Sequence, residues 1–220
     1  MMRLWGRKSS INVQKVLWCL AELGLKEGID FERIDAGLQF GVNRTPEFLK
    51  MNPNGLVPTL EDSGRVLWES NTILRYLAHQ HNKSKRFSAD VTQQYQSEKW
   101  MDWQLGTMWP ALRPVFIGLT RTPENERNYG AIQKAYEDTN QLLSLLDQEL
   151  ADHAYCSGDT FHIGDIVLAL CISRWMMLHD AFPNQTGPRA TLLNIDAWMK
   201  RIESDTHYSI VAEKALNIVK

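Results

Sequence analysis

"MNPNGLVPTLEDSGRVLWES", residues 51–70, decides how the chain is read. Pro58 opens a stretch that otherwise reads as a strand, yet proline gives no N–H to a sheet ladder and is confined to an edge, a first residue or a bulge. The main chain beside it is then free to pair with something other than a strand. Beyond it, "VPTLE" and "RVLW" flank Asp62, Ser63 and Gly64. Gly64 accepts a positive φ, so a hairpin is expected. Ser70 then precedes Ile73, Leu74 and Leu77, which share one helical face, and reads as the N-cap of a helix.

Working outward, "RLWGR" at 3–7 reads as a short strand, and Val13, Val16, Leu17 and Leu20 mark one face of a following helix. "IDFERID", residues 29–35, follows Gly28 and suits a second strand, with residues 36–46 as a long loop. "HNKSKRFSAD", residues 81–90, has no apolar periodicity and reads as a solvated linker in preference to a localisation signal. It separates an expected domain at 1–82 from a second at 91–220. In that second domain no strand pattern is found, and helical stretches cover 91–119, 124–150, 163–179 and 194–217. Pro110 and Pro114 are expected to kink or split the first of these.

Composition narrows the function classes. Lys and Arg number 24 against 26 Asp and Glu, a formal charge of -2 over 220 residues, which gives no electrostatic reason to expect nucleic acid or an anionic membrane as partner. No charge-free run approaches the roughly 20 apolar residues that cross a bilayer, and "MMRLWGRKSS" lacks the apolar region of a signal peptide. A soluble cytoplasmic protein is expected. Cys19, Cys156 and Cys171 make no C-x-x-C pair and no metal-spaced set; Cys19 and Cys171 lie in apolar helical patterns and read as buried and inert. His79 and His81, two apart, do not share a helix face. No metal site is expected.

In order and spacing, these elements resemble the glutathione transferase family over nearly the whole chain. The most specific part is "NPNGLVPTLEDSGRVLWESNTILRYLA", residues 52–78, supported by "SINVQKV" at 10–16, which is similar to the S-x-N-x-x-K-V helix start of many bacterial members. The resemblance implies a thioredoxin-like N-terminal domain followed by an all-helical C-terminal domain. It also implies a cis peptide bond before Pro58, leaving the N–H and C=O of Val57 to pair with the cysteinyl backbone of glutathione, in the manner of strand addition. It places the γ-glutamyl carboxylate on Ser70, where a helix start offers free N–H groups and positive partial charge, with Glu69 facing the α-amino group. Gln39 and Asn43 stand where the family supplies polar contacts to the glycyl end; ordinary loop polarity explains each equally well.

A thiol near pKa 8.5 is only a few per cent thiolate at neutral pH, and the thiolate is the nucleophile. Lowering its pKa by about two units takes roughly 2.7 kcal/mol; one hydrogen bond to a charged group supplies about 1.5–3 kcal/mol. One hydroxyl at a helix start is therefore sufficient. Ser10 is the candidate donor, with Ser9 as the alternative register and helix capping as the plain reading of either. Asn12 is read as orienting the serine or as an exposed first-turn residue. The neighbourhood holds Trp5 in place of the phenol of tyrosine-type members, and no cysteine near Ser10 for thiol transfer. The electrophile site implied by the family would use Trp109, Arg113 and Phe116, at i, i+4 and i+7 of one helix face; core packing and a salt bridge are the plain readings. "FHIGDIVLAL" is similar to the family's buried capping box, with His162 in the hydroxyl position and Asp165 retained, and reads as a folding element.

The leading expectation is a serine-type glutathione transferase, with glutathione as co-substrate and no metal, acting on an apolar electrophile in detoxification as a homodimer. A non-catalytic scaffold of the same fold is the alternative from another class. Glutathione-dependent dehalogenation, peroxide reduction or isomerisation differ only in the second substrate.

Overall fold

Met2–Trp5 forms strand β1 at the heart of a four-stranded sheet and leads through a tight loop into helix α1, Ile11–Glu22. β2 (Phe31–Ile34) follows, then a short helix α2 (Pro46–Met51), the hairpin strands β3 (Thr59–Asp62) and β4 (Arg65–Trp68), and helix α3 (Ser70–Gln80). The sheet order is β2-β1-β3-β4. β1 runs parallel to β2, with Leu4 opposite Arg33, and antiparallel to β3, with Leu4 opposite Leu60. Val13, Val16 and Leu20 of α1 and Ile73, Leu74 and Leu77 of α3 are buried together with Leu4 and Leu60, so the helical faces read from the sequence do the packing. This is the expected thioredoxin-like arrangement. The computed structural model describes residues 1–213, 215, 216 and 218.

The hairpin closes on two residues, Ser63 (φ 50) and Gly64 (φ 79), both in the left-handed region that matches strand twist. Asp62 ties its tip to α3: the carboxylate accepts from Ser63 Oγ (2.9 Å) and Tyr76 OH (2.8 Å) and pairs with His81 Nε2 at 2.6 Å. Burial alone would raise its pKa; the hydrogen bonds from His81, Tyr76 and Ser63 outweigh that and hold it below the ordinary value. Pro58 lies one residue before β3, outside the ladder. The stretch read as a plain loop, 36–46, contains two 3-10 turns and leads into α2. Thr45 Oγ1 caps α2 by accepting from Phe48 N–H at 3.3 Å, with Pro46 in the first turn.

The chain divides into two compact units, Met1–Ala89 with Thr206–Val211, and Asp90–Asp205 with Ala212–Lys220. Residues 81–89 fall in the first unit; Lys83, Ser84 and Lys85 are exposed, as the solvated reading expects, but Phe87 is buried, and Arg86 Nε donates to Glu22 Oε2 at 2.6 Å. Glu22 Oε1 also accepts from Trp18 Nε1 (2.8 Å) and from His207 N–H (2.6 Å), and Tyr208 lies 5.1 Å from the Trp18 ring. This carboxylate explains why the helix expected over 194–217 stops early. Its residues 206–211 leave the helical path to satisfy a buried acid of α1; positions 214 and 217 of that expectation lie outside the described residues.

The second unit is all-helical among its described residues: α4 (Val91–Trp103), α5 (Trp109–Thr120), α6 (Tyr129–Asp152), α7 (Ile163–Ala181), α8 (Pro183–Thr186) and α9 (Leu193–Asp205). The split expected from two prolines occurs at one of them. Pro110 has no N–H for the carbonyl of Gly106, and the chain widens into a π turn over Gln104–Met108, with Trp109 N–H bonded to Gln104 O. Pro114 sits inside α5 without ending it.

Candidate active site

The loop after β1 is fixed by the second strand: Gly6 N–H donates to Ile34 O (2.8 Å) and Arg7 N–H to Ala36 O (3.2 Å). It delivers Ser10 to the N-cap of α1, with extended backbone (φ -86, ψ 121) and its carbonyl accepting from Val13 and Gln14. The plain capping reading of Ser10 fails, because its side chain makes no cap hydrogen bond. Its hydroxyl has no hydrogen-bond partner among the described residues, at a position where α1 presents free N–H groups and positive partial charge. Asn12 does not orient this serine. Its Oδ1 accepts from Ser70 Oγ at 3.3 Å and so joins the first turns of α1 and α3.

The Val57–Pro58 peptide bond is cis. Among the described residues no hydrogen bond engages the N–H or C=O of Val57, while the residues before it are well held. Asn52 Nδ2 donates to Leu56 O (3.0 Å) and Thr59 Oγ1 (3.1 Å), and Asn43 Nδ2 to Gly55 O (2.6 Å). Asn43 is thus buried and props the loop that carries Val57, whereas Gln39 is exposed in a 3-10 turn. Ser70 is not the N-cap of α3 but its first residue; Glu69 takes the cap position, at φ 69 and ψ 112. A glutamate in that region is strained by about 1–3 kcal/mol, a cost typical of residues held for a site. Glu69 is exposed and Ser70 buried, so a carboxylate and a helix start lie side by side.

Two residues here escaped the sequence reading. Lys15 is 2 % exposed, and its Nζ donates to Asn71 Oδ1 at 3.2 Å. Lysine appears in the S-x-N-x-x-K-V pattern, which was available as a signal; nothing in the sequence marks Asn71.

In the second unit, Trp109 and Phe116 share a face of α5 with ring centroids 5.7 Å apart, as their spacing predicts. Arg113 is exposed, and Arg121, not singled out from the sequence, lies over the Phe116 ring at 5.3 Å. Asp165 is fully buried at the start of α7 and accepts from His162 N–H (2.9 Å), Cys156 N–H (2.9 Å) and Trp198 Nε1 (3.1 Å). Burial pushes its pKa up to about 6 in spite of these donors. The aspartate half of the capping box is formed, and it works as a folding element.

Cys19, Cys156 and Cys171 are all buried free thiols, and burial raises Cys19 and Cys156 far above the ordinary thiol range. The shift disfavours the thiolate form of Cys19 and Cys156 at neutral pH. Among the described residues, no group of three or more His, Cys, Asp or Glu is gathered as a metal would require, and no helix is long and apolar enough to cross a membrane.

Family models for the glutathione S-transferase N-terminal and C-terminal domains match residues 9–80 and 107–205. A glutathione S-transferase GstB of Escherichia coli is 46% identical over 171 residues, 77% of this chain and 80% of its own. Glutathione S-transferase 3 of Zea mays is 28% identical over 204 residues, covering 91% of this chain and 88% of its own. Among solved structures, the theta class glutathione S-transferase of Xanthomonas axonopodis pv. citri with glutathione bound superposes with a TM-score of 0.85 at 37% identity, over 98% of each chain.

Proposed function

The chain belongs to the glutathione S-transferase family and is a glutathione transferase, and we propose that it ionises the glutathione thiol with Ser10. In this reading the tripeptide lies along the unpaired main chain of Val57, beside Pro58. Its γ-glutamyl carboxylate meets the N–H of Ser70 and the Ser70 hydroxyl, whose proton turns from Asn12 Oδ1 to the ligand, and its amino group meets Glu69. Gln39 faces the glycyl end, and Asn43 contributes there by holding the Gly55 carbonyl. The observation that carries the proposal is the uncommitted hydroxyl of Ser10 at the start of α1. A single charge-assisted hydrogen bond of about 1.5–3 kcal/mol, with several tenths from the helix end, is the amount a two-unit depression of the thiol pKa demands.

The finer parts of the reading follow the family. The thiolate attacks an apolar electrophile held on Trp109 and Phe116, with Arg113 available to an anionic substituent; the paired rings of the first two support this. Detoxification in the cytoplasm and a homodimer complete it. The experiment is a thiolate titration of bound glutathione by ultraviolet absorbance, together with conjugation rates over an electrophile panel, for wild type and Ser10→Ala. Wild type should ionise the thiol near neutral pH, and the variant should lose about 10- to 100-fold in rate. Equal titrations would transfer the role to Ser9. Product analysis separates conjugation from dehalogenation, peroxide reduction and isomerisation.

A further inference from the structure

Burying a lysine is costly, and where α1 packs against α3 a leucine or methionine would fill position 15 as well. Lys15 is nevertheless 2 % exposed in that interface. It sits one turn after Asn12 on α1, and its partner Asn71 follows Ser70 on α3. Two polar bridges therefore run side by side between the helices: Ser70 Oγ to Asn12 Oδ1 at 3.3 Å, and Lys15 Nζ to Asn71 Oδ1 at 3.2 Å. The residue before them, Glu69, is held at φ 69, so the first turn of α3 has a backbone that something must fix in place.

We propose that Lys15 is a positioning residue for the reaction: through Asn71 it locks the first turn of α3 to α1, and its charge biases the paired helix starts toward an anionic ligand. The inference rests on the functional reading above and deepens it. A hydrocarbon at position 15 would still pack the helices, but it would neither hold the Asn71 amide nor add positive potential behind Ser10 and Ser70. In a low-dielectric interior such a charge acts over several ångströms with little screening. Lys15 touches neither the thiol nor the carboxylate in this account; it acts through Asn71 and through its field.

The test is Lys15→Met, Lys15→Arg and Asn71→Ala, each followed by the ultraviolet thiolate titration, the pH profile of kcat and the KM for glutathione. In Lys15→Met the ionisation of bound glutathione should move up by about 0.5–1 pH unit, leaving about three- to tenfold less thiolate on the acid side. Lys15→Arg should restore most of it. Asn71→Ala, which removes this acceptor from the buried Lys15 ammonium and lowers the melting temperature, should raise the KM for glutathione and shift the titration part of the way. A lowered melting temperature with an unmoved titration in Lys15→Met, or, if that variant does not fold, an unmoved titration and KM in Asn71→Ala, would overturn the inference while leaving the role of Ser10 intact. Absence of any thiolate on the wild type would overturn both.

Discussion

Two helix starts in this molecule each carry a buried polar residue and put it to opposite uses. At α7, Asp165 is sealed from solvent and its oxygens are taken by three donors. At α1, Ser10 is nearly as buried, at 8 % exposed, but its hydroxyl has been given nothing. The N–H and C=O of Val57 are likewise without a hydrogen bond among the described residues, while Asn52 and Asn43 hold the residues before it. A polar group that the fold satisfies is part of the fold; one that the fold positions and leaves unsatisfied is available to a ligand.

The largest expected effect lies at the closed start. Asp165→Ala strands three buried donors, each costing about 1–3 kcal/mol, and urea unfolding should show a loss of about 3–5 kcal/mol. Ser10→Ala should change unfolding by less than about 0.5 kcal/mol, because no cap bond is lost, even though it costs activity. A Ser10→Ala variant as unstable as Asp165→Ala would erase the contrast between the two starts.

The next effect is a pair of opposite pH dependences. The folded-state pKa of Asp165, about 6, lies above its ordinary 3.8. Its contribution is therefore fully present below pH 3.8 and is lost as pH rises through about 6, by roughly 2–3 kcal/mol. Glu22 has the reverse sign. Burial would raise its pKa, but the hydrogen bonds from His207, Arg86 and Trp18 hold it below 4.5, so its contribution is present above 4.5 and disappears as pH falls below that. In denaturation curves across pH 3–8, Asp165→Asn should flatten the segment between about 4 and 6, and Glu22→Gln the segment below about 4.5. One variant flattening both segments would refute the assignment.

The smallest effect sharpens the description of the open region. Asn43→Ala removes one buried hydrogen bond to Gly55 and should cost about 1 kcal/mol in stability. Because it loosens the loop ahead of Val57, it should also raise the KM for glutathione with little change in kcat. A changed kcat with an unchanged KM would mean that Asn43 does not act through that loop.

Much of this was legible in the sequence, for definite reasons. Pro58 cannot join a ladder, Gly64 accepts a left-handed turn, and the spacing of Val13, Val16 and Leu20 and of Ile73, Leu74 and Leu77 lays two helices on one sheet; each is a local constraint that survives in any context. The errors fell where a distant partner decides. Ser70 reads as a cap by residue type, yet its hydroxyl donates to Asn12 of α1 and Glu69 takes the cap position. Arg86, in the segment read as solvated, and His207, in the segment read as helix, are both bonded to the buried carboxylate of Glu22.

By itself, then, the sequence determined the order of the four strands with α1 and α3 and the sheet-then-helices architecture, because these follow from periodicity, proline and glycine chemistry within a few neighbours. The tertiary structure alone decided which polar groups are spent and which are left open, because satisfaction of a hydroxyl, an amide or a carboxylate depends on atoms that are remote in the chain and adjacent only after folding.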